Sequence, residues 1–229
     1  MTASLLIGGS PVPVKLRRSA RACRISLRVD PQDRAVILVL PSHVAATHGM
    51  AFARSKTDWL AARLAALPDA LPFVDGITLP LLGTEHPVRH CPEERGGVWI
   101  EGGAILVSGR AEHFSRRLAD WLKGRARAEI TTRAVPMAVA IDRTAGRISL
   151  RDTRSRWGSC TSRGDLAFSW RLVFAPAAVM DYVVAHEVAH LAEMNHSPAF
   201  WRTVRKLAAD IEGPRAWLRR HGAELHRYG

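Results

Sequence analysis

Between Val183 and Trp201 the chain reads VVAHEVAHLAEMNHSPAFW. His186 and His190 are four apart, so on a helix they lie on one face, about 40° apart at ~100° per residue. Two imidazoles so placed can grip one metal ion. Glu187 follows the first of them directly, giving the His-Glu-x-x-His arrangement that holds zinc beside a glutamate base. That pattern alone is short and has many chance matches, so its surroundings must decide.

Three features of the surroundings favour a site. On a helical wheel, Met180, Val183, Val184, Val188 and Leu191 fill an apolar sector centred about 130° from His186, and Glu187 points into its near edge. An acid there is costly unless it meets a cation, a hydrogen-bond donor or an activated water. His196 would lie about 280° round from His186 if the helix ran on. Asn195 suits the left-handed stop of a helix, however, and Ser197-Pro198 reads as the cap and first residue of a new one. His196 then falls in a tight turn and can swing back as a third ligand. Glu193 competes poorly, because its Cα lies ~10.5 Å along the axis from His186; a supporting or solvent-facing role is expected for it. Tyr182, one turn before His186, reads as packing.

Three neutral imidazoles leave zinc one open position, the arrangement of catalytic rather than closed structural sites. The expected chemistry is attack of an activated water on a carbonyl or phosphorus, with Glu187 taking the water's proton and passing it to the leaving group. The other histidines carry no comparable pattern. His86 and His90 are four apart, but Pro87 and a β context separate them. His43, His48, His113, His221 and His226 are isolated. Cys160 reads as a small hairpin residue rather than a nucleophile.

These groups must be positioned by a chain of 229 residues, long enough for one domain or two small ones with a real core. Apolar residues make up 47% and charged residues 24%, the balance of a globular protein. No apolar run approaches the ~18 residues of a membrane span, and no secretory signal is expected. Cys23, Cys91 and Cys160 have no Cys-x-x-Cys spacing, which fits free thiols in a reducing compartment and an expected cytoplasmic setting. The formal charge is +12, almost all of it from arginine. Such a surface attracts nucleic acid, nucleotides or anionic lipid. An alanine- and arginine-rich coding bias explains the same number, and the charge is spread along the chain rather than gathered.

Along the chain, VPVKL, ISLRVD and AVILVLP read as strands between Val12 and Leu40, with a turn at Pro-Gln-Asp. Ser42 is expected to cap a helix running to Leu67, ended by Pro68. Residues 73–107 form short Gly- and Pro-punctuated runs, expected as a small antiparallel sheet. A helix follows from Ala111, with Phe114, Leu118, Trp121 and Leu122 on one side. Then come a hairpin built from RISLRD, SRWGSC, TSRGD and LAFSWRLVF, a helix opened by Pro176 and another opened by Ser197-Pro198. No internal repeat is visible. The fold class expected is α+β, with a β-rich N-terminal region of one helix at 1–110 and a metal domain at 111–229.

RDTRSRWGSC (151–160), LAFSWRLVFAP (166–176), YVVAHEVAHLAEMNHSPAFW (182–201) and RAWLRRHG (215–222) together resemble the YgjP-like metallopeptidase family, related to SprT-like and other minimal HExxH zinc proteins. RRSARACRISLRVD, DWLAARL and FVDGITLPLLG echo it more weakly, so the resemblance spans nearly the whole chain. It implies a zincin-like C-terminal domain with an active-site helix beside a β-hairpin. It also implies Zn2+ on His186, His190 and His196, with Glu187 as general base. It sets Arg156 to Cys160 beside the helix, where an edge strand can align an extended peptide. Arg154 or Arg156 would then stabilise an oxyanion, or Arg156 and Trp157 would lock the hairpin onto the helix.

The activity implied is hydrolysis of a peptide or protein substrate. Some relatives carry a UTP pyrophosphatase label, which makes a metal-dependent nucleoside triphosphate pyrophosphatase the alternative. Against it, no Gly-rich phosphate loop is present, and imidazoles suit zinc better than magnesium. A nucleic-acid-associated, SprT-like protease is a further alternative, resting on charge and analogy alone. A binding module with structural zinc is the last, and such a site has no use for Glu187. No membrane partner is expected.

Overall fold

The computed structural model describes residues 3–30, 33–67, 69–153 and 155–229. The chain is mixed α and β, as its α+β reading expects, and divides into two compact units, Met1–Ala70 and Leu71–Gly229.

In the first unit, β1 (Ala3–Ile7), β2 (Ser10–Ser19), β3 (Ser26–Asp30) and β4 (Ala35–Pro41) form a sheet in the order β1-β2-β4-β3. β1, the run ASLLI, is an additional strand not anticipated from the sequence. Leu5, Ile7, Val12, Val14, Val36, Leu38 and Leu40 alternate onto one face and pack with Leu60 and Leu64. The helix expected from Ser42 to Leu67 is instead two, α1 (Ala46–Arg54) and α2 (Thr57–Ala65). Ser42 caps neither; Arg18 donates to the Ser42 and Val44 carbonyls and holds that segment as a turn. The break falls where Ser55 and Thr57 hydroxyls donate to the Phe52 and Arg54 carbonyls, competing with helical continuation. Pro68, expected as the stop, lies outside the described residues, as do Pro31 and Gln32 of the expected turn.

In the second unit, β5 (Thr78–Leu81), β6 (Thr84–Cys91), β7 (Val98–Glu101) and β8 (Ala104–Ser108) form a sheet in the order β5-β6-β8-β7. It is not purely antiparallel as expected: the central pair β6–β8 runs parallel. The second sheet repeats the first. Both have the same strand order, and in both the pairing is antiparallel, parallel, antiparallel. Both open with a two-residue turn of left-handed backbone, Gly8-Gly9 and Leu82-Gly83. Leucine tolerates that conformation poorly. Here its amide donates to the Val173 carbonyl at 2.9 Å and its carbonyl accepts from Ala177, which holds the turn in place. Asp58-Trp59-Leu60 and Asp120-Trp121-Leu122 then match in the helices that follow, with Leu60 and Leu122 both fully buried.

The long helix α3 (Phe114–Val139) buries Phe114, Leu118, Leu122, Ala126, Ile130, Ala134 and Ala138, one residue every four. Its first half packs on the second sheet, and its second half packs on the elements that carry the histidines. The chain therefore divides at residues 70 and 71 and not near 110: the 78–108 sheet shares a core with α3. Beyond α3, β9 (Ile148–Arg151), β10 (Gly158–Cys160) and β11 (Leu166–Ser169) form a small sheet with β11 in the centre, antiparallel to β10 and parallel to β9. Helices α4 (Ala177–Ala189), α5 (Pro198–Leu207) and α6 (Glu212–His221) follow. Arg133 on α3 contacts Glu129 and, at 2.5 Å, Asp181 on α4, tying the two helices across their packed faces. No helix among the described residues is long and apolar enough to cross a membrane.

Arg171, only 1% exposed, joins the C-terminal segment to this unit. It forks onto Asp152 at 2.7 and 3.1 Å and donates to the Tyr228 and Leu225 carbonyls at 2.6 and 3.3 Å. Burial pushes the Asp152 carboxyl up, but the Arg171 hydrogen bonds and charge outweigh it and hold it below its usual value. A depressed folded-state carboxyl stabilises above the unfolded pKa and loses that contribution as pH falls through the folded one. Asp152→Asn should therefore destabilise the full chain by about 1–3 kcal/mol at neutral pH, since it leaves a buried guanidinium with a weaker partner. In urea unfolding the gap between parent and variant should narrow below pH ~4; a gap unchanged by acidification would remove the ion pair from this account.

Candidate metal centre and active-site cleft

α4 is opened by Pro176 as N-cap and is buried along most of its length, as a helix packed on several sides must be. It carries His186 and Glu187 and ends at Ala189, with His190 as its C-cap. The stop comes five residues before Asn195, whose φ is not positive. The chain leaves instead through tight turns in which Leu191 and Ala192 donate to the Val188 and Ala189 carbonyls. A new helix begins as expected, because the Ser197 hydroxyl accepts from the Phe200 amide at 3.2 Å and Pro198 takes the first position.

This exit brings His196 back to α4. Its Nε2 lies 3.1 Å from His186 Nε2, and donor nitrogens of His186, His190 and His196 all fall within 4.8 Å of one another. Phe200, fully buried at the start of α5, touches all three rings, with centroids at 5.0, 4.5 and 4.7 Å. Trp201 stacks on His196. Neither aromatic is marked by the histidine spacing. The available signal is their place in the first turn after the Ser197-Pro198 cap, next to a ligand candidate.

The His190 Nδ1 lies 3.0 Å from the Glu193 carbonyl, which fixes the ring's tautomer and leaves Nε2 as its free acceptor. Glu193 thus supports the site through its backbone. Burial, followed by the neighbouring imidazoles, pushes His186 down to about 4, and burial lowers His190 as well. Both shifts favour the neutral imidazole, the form that a metal ion would need. Two imidazole nitrogens 3.1 Å apart need a proton or a cation between them. Ligands on a tetrahedral ion with ~2 Å bonds stand ~3.3 Å apart. The donor set fits one ion that prefers nitrogen.

Glu187 is 7% exposed, and burial raises its carboxyl to about 7 against the opposing charge of Arg156. It lies on Gly158 of β10: a Cβ there would stand 2.6 Å from Oε1 and 2.7 Å from Cδ of Glu187. Only a glycine lets helix and strand approach this closely. β10 is an edge strand. Trp157, Ser159 and Thr161 spend their backbone groups on β11 and its flanks, so strand alternation aims those of Gly158 and Cys160 outward. Arg156 is exposed and lines a cleft of about 400 Å³ with His186 and Glu187; Arg154 lies outside the described residues. Tyr182, expected as packing, lines the same cleft.

The remaining candidates behave as structural groups. His86 and His90 sit on β6 against the Gly103 and Gly109 carbonyls, and His226 stacks on Trp157. Burial, then the charges of Glu187 and Asp165, raises the Cys160 thiol to about 11, so it stays protonated and is a poor nucleophile.

No curated protein and no solved structure matches this chain. The sequence of residues 23–221 matches the family described as YgjP-like, metallopeptidase domain, and with nearly its whole length covered the chain belongs to that family.

Proposed function

We propose that this protein is a zinc-dependent peptidase of zincin-like build, in which His186, His190 and His196 hold the ion and Glu187 is the general base. The observation that carries the reading is the convergence of three imidazoles beside a buried carboxyl at the open edge of a strand. Three nitrogen ligands suit zinc and leave one position open. When bound, the ion supplies Lewis acidity toward water and toward a carbonyl oxygen.

The chain's own groups perform the rest. An extended peptide pairs with the outward backbone groups of Gly158 and Cys160, which brings one peptide bond past Glu187. The Glu187 carboxylate accepts the proton of the attacking water and returns it to the departing amine. Burial raises its basicity toward the range where both transfers run near neutrality. Arg156, across from Glu187 at the cleft, donates to the oxygen that gains charge. The open strand edge favours an extended peptide over a nucleoside triphosphate, which has no backbone to pair.

Elemental analysis should find one zinc per chain, and His196→Ala should lose most of it while keeping the parent's circular dichroism. Glu187→Gln should keep the metal and lower peptide turnover by about 10²–10⁴-fold; turnover equal to the parent's would end the glutamate's role. Gly158→Ala should bind metal normally yet lose activity roughly 10-fold or more, because the new methyl displaces the Glu187 carboxyl. A triphosphate panel run beside the peptides should give no Glu187-dependent release of pyrophosphate.

A further inference from the structure

The cleft beside Glu187 carries more positive charge than the reaction needs. Three guanidiniums line it, Arg156 from the segment before β10 and Arg215 and Arg219 from α6. Arg215 and Arg219 are four apart, so α6 presents both on one face. Like charges at that spacing disfavour a helix slightly. The walls between them are Trp157, Tyr182 and Leu218, and the acid among the lining residues is Glu187 itself.

The three arginines are held differently. Arg215 lies over the Trp201 ring at 5.3 Å and pairs with exposed Glu212 at 3.2 Å, so its fork is oriented. It lines the same cleft as His186, which puts it beside the candidate metal ligands. Arg156 and Arg219 make no ion pair among the described residues. A narrow cleft with apolar walls and one sign of charge focuses its field on whatever enters, unlike the same arginines spread on open surface. Guanidinium forks match a planar carboxylate with two parallel hydrogen bonds. A second groove, of about 280 Å³, shares Arg156 and Gly158 with the cleft and adds Arg147 and Arg151. Asp165 lines that second groove too, so the cleft beside Glu187 is the more uniformly positive of the two.

We propose that the Arg156–Arg215–Arg219 cleft is a specificity subsite that takes a carboxylate of the peptide substrate next to the scissile bond, a proposal that rests on the peptidase reading above. The carboxylate is supplied by an acidic side chain or by the free C-terminus of the peptide. Arg215 is the oriented anchor, and Arg219 at the exposed rim closes over the group once it is bound.

The test uses the full-length, zinc-loaded chain carrying Glu187→Gln, so that binding is read without turnover. Three peptides of one neutral sequence are compared by calorimetry: capped at both ends, capped with glutamates inserted, and neutral with a free C-terminal carboxylate. At low salt a carboxylate-bearing peptide should bind tenfold or more tightly than the neutral capped one, and raised salt should shrink the difference. Adding Arg219→Glu should abolish or invert the preference; Arg219→Gln, which keeps size without charge, should reduce it several-fold. Preference for the glutamate peptide assigns the subsite to side chains, and preference confined to the free C-terminus assigns it to the chain end. Equal binding of all three peptides, or a preference that survives both Arg219 variants, overturns the proposal. If the parent cleaves no peptide yet carboxylate binding still depends on Arg219, the subsite stands and the peptidase reading falls.

Discussion

The approach of α4 to β10 is the constraint on which the site depends. Glu187 is seated on the bare α-carbon of Gly158, so the carboxyl and the strand edge are fixed by one contact. A side chain at residue 158 would push the carboxyl away from the edge, or the helix away from the sheet. Much of the second unit maintains that contact. β11 holds β10 from its far side, α3 packs beneath α4, and Arg133 ties α3 to Asp181. His186 then follows automatically, because it neighbours Glu187 on the same helix.

Burial shifts four of the groups around that contact. It raises Glu187 and Cys160 and lowers His186 and His190, so all four are driven toward neutral forms. The consequences differ with the chemistry of each group. A neutral imidazole is a ready metal ligand, whereas a neutral thiol is a poor nucleophile. A carboxyl raised to about 7 is a stronger base than an exposed one. The positive charge stays at the rim, on exposed Arg156 and Arg219, where solvation is cheap. Buried Glu187 thus lies beneath a rim of exposed arginines.

The local parts of this arrangement were legible in the sequence. The spacing of His186, Glu187, His190 and His196 is a short-range pattern, and Ser197-Pro198 marks the new helix by its own chemistry. What escaped depends on contacts between distant residues. The exit from α4 occurs after His190, not at Asn195, because His196 and Phe200 pack back onto the helix. The parallel pairing of β6 with β8 joins segments that are not neighbours in sequence, and no strand propensity encodes it. Gly158 reads as a hairpin glycine until Glu187 is found against it. Arg215 and Arg219 lie some thirty residues beyond the ligand helix and read as part of a diffuse basic composition until α6 folds over the cleft.

The repeated sheet shows how the second unit acquired a site-bearing core while the first did not extend beyond its own. Each sheet is followed by a helix bearing Asp-Trp-Leu at a corresponding place, and each buries the leucine. After the first sheet the helix is broken at Ser55–Thr57, where hydroxyls take the carbonyls that would continue it, and its buried row ends at Leu64. After the second sheet the helix runs unbroken for 26 residues, and its row of buried residues carries on from Ala126 to Ile130, Ala134 and Ala138. Those last three lie against Phe168 and Met180, in the core beneath α4 and β11. Helix continuity, rather than any difference between the sheets, joins one four-stranded module to the elements that carry the histidines. That explains why the β-rich segment 78–108 belongs physically with the site and not with the strands that precede it.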